Sequence, residues 1–158
     1  MPMTRSEIRE AIQSLFAVFD AEVDAPTREH DLRLALDRLA WASHFVEGEF
    51  DPSAPSPDDV RTTPYEALTR RLGQCFPGLG YYSTALDSTD LAASTPGVGD
   101  AIDDLADIAK DLEEVLSRWE TSEVDALWYF KLHFESHWGQ HLRALQLHLH
   151  ERAFRSKS

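Results

Sequence analysis

The chain carries a single cysteine, Cys75, so no disulfide can close within it and its stability must come from packing. That usage suits a reducing compartment, and a cytoplasmic location is the expectation. Long apolar runs are also missing. The longest, Ala126-Leu127-Trp128-Tyr129-Phe130, falls far short of the roughly 20 residues that cross a bilayer. The N-terminus, Met1-Pro2-Met3-Thr4-Arg5-Ser6-Glu7, has no apolar signal core behind it. Basic residues are scarce: 15 Lys and Arg stand against 28 Asp and Glu, a formal charge of −13. Such a surface repels nucleic-acid phosphates and anionic lipid heads, so no nucleic acid and no membrane is expected, whereas a basic protein would be attracted. Phosphate loops, nucleophile elbows, Cys-rich zinc knuckles and internal repeats are absent from the sequence.

What is present is helical. With 158 residues, 42% of them hydrophobic, the chain is long enough for one domain with a real core, and residues 1–158 are expected to form it. Thr4-x-x-Glu7 has the pattern of a capping box, and Ile8, Ile12, Leu15, Phe16 and Phe19 follow at helical spacing. A second helix starts at Pro26-Thr27. Leu32, Ala35, Leu36 and Leu39 lie on one of its sides, and Leu34, Trp41 and Phe45 on the other. Pro52, Pro55 and Pro57 make 49–63 a loop. Thr63-Pro64-Tyr65-Glu66 predicts the next helix start, with threonine as the cap. A short helix is expected from Tyr81 to Leu86, no strand anywhere, and a Ser/Thr/Gly loop over 87–99. Asp100 then caps a helix with the seam Ile102, Leu105, Ala109, Leu112, Leu116 and Trp119. Ser122 caps a last long helix, with the seam Leu127, Phe134, Trp138, Leu145 and Leu149 and an interior glycine, Gly139. The expected fold is an all-α bundle of five to six helices whose last two form a long antiparallel hairpin.

That hairpin would join two ladders. Asp104, Asp107 and Asp111 climb one helix; His133, His137 and His141 climb the next. Level positions in an antiparallel pair share a constant sum of residue numbers. The pairs Asp111–His133, Asp107–His137 and Asp104–His141 share one to within a residue. Both ladders flank their seams on the same rotational side, so they point inward together or outward together, and the hand of the hairpin decides. Three readings follow: a structural network in which imidazoles satisfy carboxylates, a divalent metal site for Zn, Ni or Mn, or acids that merely suit the first turns of a helix. The acidic pairs Asp104-x-x-Asp107 and Asp111-x-x-Glu114 are similar to those of magnesium-binding all-helical nucleotide pyrophosphatases, but a second pair is lacking.

Gly99-Asp100-Ala101-Ile102-Asp103-Asp104-Leu105-Ala106-Asp107-Ile108, with Ala126-Leu127-Trp128 and Phe134-Glu135-Ser136-His137-Trp138-Gly139, resembles the signature of a bacterial family catalogued only as a domain of unknown function. That resemblance implies an all-helical fold and no established activity. Separately, His133-x-x-x-His137-Trp138-Gly139-Gln140 resembles the last-helix motif of DinB-like four-helix bundles, which bind a divalent metal through three histidines. It implies His44, His133 and His137 as ligands, although Trp138 stands where that family usually has a basic residue. Because no complete catalytic constellation is present, the first expectation for function is a non-enzymatic, acidic protein-binding module. The alternative is a metal-binding bundle, up to a metal-dependent enzyme, with ligands drawn from Asp104, Asp107, Asp111, His44, His133, His137 and His141.

Overall fold

The computed structural model describes residues 1–92 and 96–155. In chain order it contains α1 (Arg5–Asp20), α2 (Ala25–Ser43), α3 (Tyr65–Cys75), β1 (Tyr81–Thr84), β2 (Gly97–Asp100), α4 (Ala101–Trp119), α5 (Glu123–His133), a π-helical turn (Phe134–Trp138) and α6 (Gly139–Phe154). The π turn joins α5 to α6 without a break, so the two read as one rod. This is the helical bundle expected, with one small sheet added. Among the described residues no helix is long and apolar enough to cross a membrane.

Local chemistry sets the helix starts. Thr4 and Glu7 form a complete capping box on α1, which satisfies two backbone donors that the first turn would otherwise leave open. Asp24 caps α2 through the Thr27 amide, so that helix begins slightly before Pro26. Asp100 and Ser122 cap α4 and α5 as their positions imply. Thr63 does not cap α3. Its hydroxyl donates to Glu113 on α4 at 2.7 Å, and its amide donates to the same carboxylate. A tertiary partner has outcompeted the local one.

The segment expected to be a short helix is β1, paired antiparallel with β2 in the register Tyr81–Asp100, Tyr82–Gly99, Ser83–Val98 and Thr84–Gly97. Tyr-Tyr-Ser-Thr is rich in residues that suit a pleated strand, and its burial alternates with a period of two. Of the loop expected over 87–99, residues 97–99 therefore belong to β2, and 93–95 lie outside the described residues. The sheet is fastened to the bundle where the Ala101 amide donates to the Gly80 carbonyl at 3.1 Å.

The core is one continuous cluster. It takes Ile8, Ile12 and Leu15 from α1, Leu32, Leu36 and Leu39 from α2, and Leu68 and Leu72 from α3. Leu105, Ile108 and Leu112 of α4 meet Phe130, Trp138, Leu142, Leu145 and Leu149 of the long rod in the same cluster. The outer side of α2 is not covered: Leu34 and Trp41 are exposed. On the rod, Tyr129 is buried and Trp128 packs on Phe50 at 5.2 Å, whereas Leu132 and Leu147 face outward.

α4 and the rod form the antiparallel hairpin, joined by a break at Glu120-Thr121-Ser122. The junction is held by Asp125, buried at the start of α5. Its carboxylate accepts from Arg118 at 2.9 Å and from Ser56 at 3.3 Å, while Arg118 lies 4.6 Å over the Tyr129 ring.

Candidate metal centre

The hand of the hairpin turns both ladders inward, and they interdigitate rather than face one another rung for rung. His137 Nδ1 lies 2.6 Å from Asp111 Oδ2. His141 Nδ1 lies 2.7 Å from Asp104 Oδ1, and its Nε2 lies 3.4 Å from Asp107 Oδ2. Of the three level pairs read from the sequence, Asp104–His141 is a contact, whereas Asp111 meets His137. His133 falls beyond the last acid of the ladder and stacks instead on Tyr129, with ring centroids 3.9 Å apart. The pairing rule assumed an uninterrupted α-helix, and the offset arises along a rod that contains a π turn.

That turn is built around Gly139. The Gly139 amide donates to the carbonyl of Phe134, five residues back, and a Cβ at Gly139 would collide with that oxygen and lie 3.0 Å from the Phe134 ring. Only glycine fits there without a shift of the backbone. The turn carries His137 on its partly exposed side and buries Trp138 in the core, edge-on to Phe130 at 5.0 Å. Single π turns of this kind are frequent at functional sites.

One ligand atom from each of Asp107, His137 and His141 lies within 4.8 Å of the others. Both imidazoles engage a carboxylate through Nδ1, which places the donated hydrogen there and leaves Nε2 as the atom each can offer. The His137 side chain is 42% exposed and that of Asp107 23%, so the cluster opens to solvent on one side. Burial holds the Asp107 carboxyl above its ordinary value, against the pull of His141. The bond to Asp104 raises His141 above the usual histidine value, against burial.

Asp104 is itself buried and has a second partner. The Tyr82 hydroxyl donates to its Oδ2, and burial, then the bond to Asp104, hold that phenol well above its ordinary pKa. Sequence reading missed Tyr82 as a site residue. The available signal was the Tyr81-Tyr82-Ser83-Thr84 run, which as a strand sends alternate side chains inward.

His44 does not join the cluster. It is exposed at the C-terminal end of α2, with its ring edge-on to Trp41 at 6.2 Å. The three ligands implied by the DinB-like motif (His44, His133, His137) are therefore not gathered, and only His137 belongs to the described group.

The chain belongs to DUF5063, a family described as a domain of unknown function, whose sequence profile matches residues 29–154. A crystal structure of protein BF1032 from Bacteroides fragilis is similar in fold, with a TM-score of 0.77 at 19% identity, covering 97% of this chain and 94% of that one. No curated protein matches the chain.

Proposed function

We propose that the chain binds one divalent metal ion through Asp107, His137 and His141, with zinc, nickel and manganese as the candidate ions. The observation that carries this reading is the orientation of the two imidazoles. Each is fixed through Nδ1 by its own carboxylate, Asp111 or Asp104, and a carboxylate behind each metal-binding histidine is the arrangement that sets tautomer and ring angle in metal sites. The donor set, two nitrogens and one oxygen, suits zinc and its first-row neighbours. Three protein ligands at a solvent-facing edge leave room for water or a substrate atom, the condition for metal-assisted chemistry rather than a closed structural site. A bound ion would supply Lewis acidity there.

The test is elemental analysis of protein purified without a histidine tag, followed by titration with zinc, nickel and manganese. One equivalent of metal and a rise in melting temperature are expected, because a ligand of the folded state stabilises it by mass action. No bound metal and no rise with any of the three ions would remove the reading.

A second reading, docking of a protein partner, draws on a groove between α2 and α6 whose charged lining is Arg33 and Asp37. Leu34, Leu147 and Phe154 line it and are 56%, 61% and 68% exposed. Light scattering combined with a pull-down tests it. A strict monomer that captures no partner counts against it.

A further inference from the structure

We infer that Tyr82 is a positioning residue for the candidate metal centre, acting through Asp104 on His141. The inference rests on the metal reading for its consequence on affinity, and on the geometry alone for its effect on the imidazole.

The sheet brings one phenol to one carboxylate. Tyr81 points to solvent and Tyr82 inward, as alternation along β1 requires. Opposite Tyr82 in the register stands Gly99. A Cβ at that position would lie 2.6 Å from ring carbon Cε1 of Tyr82, so the ring occupies the space that any other residue would fill. The ring also stacks on His148 of α6, with centroids 4.4 Å apart and planes inclined by 14°. Held between a strand and a helix, the phenol has one direction to point, and its hydroxyl donates to Asp104 Oδ2.

Both oxygens of Asp104 are thereby assigned: Oδ2 accepts from Tyr82 and Oδ1 faces His141 Nδ1 at 2.7 Å. A carboxylate held at both oxygens cannot rotate, and the imidazole bonded to it keeps its hydrogen on Nδ1 and directs Nε2 toward Asp107. Without the hydroxyl, Asp104 is free to turn, and His141 loses the constraint on its tautomer and angle. Partners of this kind behind a metal ligand typically control 10–100-fold in affinity.

The experiment compares the wild type with Tyr82→Phe, which keeps the ring and removes the hydroxyl, and Gly99→Ala, which keeps the hydroxyl and pushes the ring away. Tyr129→Phe serves as the control. Burial, then the Glu114 carboxylate, hold the Tyr129 phenol above its ordinary value, and Glu114 is not one of the proposed ligands. Two quantities are read: the zinc Kd, by competition with a chromophoric chelator, and the tautomer of His141 in metal-free protein, from imidazole ¹⁵N shifts in alkaline buffer where the ring is neutral. Tyr82→Phe and Gly99→Ala are expected to raise the zinc Kd by roughly 10-fold or more and to convert His141 from the Nδ1–H form to a mixture. Tyr129→Phe is expected to lower the melting temperature and leave both readouts unchanged, which separates positioning from loss of stability. If the wild type binds none of zinc, nickel and manganese, the metal reading fails and the tautomer decides: a shift in both variants still establishes positioning. Wild-type tautomer in both variants, with unchanged Kd wherever zinc binds, would overturn the inference.

Discussion

Gly139 leaves no space between itself and Phe134: an added Cβ would meet the Phe134 carbonyl oxygen and lie 3.0 Å from its ring. Two effects then oppose each other in Gly139→Ala. Helix propensity favours alanine by about 1 kcal/mol, whereas forcing an extra carbon into a packed position costs about 1–3 kcal/mol. The obstacle here is backbone rather than a flexible side chain, so the packing cost wins. The variant should melt at a lower temperature, as measured by circular dichroism; a higher melting temperature would mean that the π turn can relax at little cost.

Asp107 should be worth more to binding than to folding. Its carboxyl is raised chiefly by burial, so its charged form is disfavoured in the fold at neutral pH. Asp107→Asn removes that charge. The metal-free protein should melt at the same temperature or higher, and the rise produced by zinc should vanish. Thermal scans with and without metal check both halves.

Two histidines should give the metal-free protein opposite pH responses. Asp104 raises His141, so its contribution to stability is full below the ordinary histidine value of about 6.5 and is lost as pH rises through the folded value. His148 is lowered, first by burial and then by Arg152. Its contribution is full above about 6.5 and is lost as pH falls toward the folded value. From these two groups together, stability peaks near the ordinary histidine value. Urea unfolding across pH should show His141→Asn flattening the alkaline side and His148→Asn the acid side.

Arg118→Ala should weaken the hairpin junction. It strips the buried Asp125 carboxylate of its charged partner at 2.9 Å and leaves only Ser56 and the surrounding backbone. Losing one member of a largely buried pair costs about 3 kcal/mol. The midpoint of urea unfolding measures it, and a change below about 1 kcal/mol, the scale of an exposed ion pair, would show that water reaches the carboxylate.

The bundle was legible because its signals are local. Thr4 with Glu7, Asp100 and Ser122 mark helix starts by their own side chains, and the apolar seams repeat at a spacing only a helix uses. Thr63 failed because Glu113, remote in the chain, competes for its hydroxyl. The strand pair failed because Tyr82 needs Gly99, a partner that neither segment's own pattern announces. The ladders were visible as ladders, but their offset was not. It needed the hand of the hairpin, which no single helix encodes, and the π turn. That turn did leave a trace. The rod's core contacts at Phe130, Phe134, Trp138 and Leu142 are spaced by successive fours, where a regular seam alternates three and four.

The π turn also makes the rod sensitive to length. One residue more between Phe134 and Trp138 would rotate everything downstream by roughly 100°, the angular step of an α-helix. Leu142, Leu145 and Leu149, which now fill the core, would swing toward water, and His141 would leave Asp104. A single-codon insertion in this short stretch would therefore act like a frameshift in three dimensions, with every amino acid after it intact and almost none facing its former neighbour.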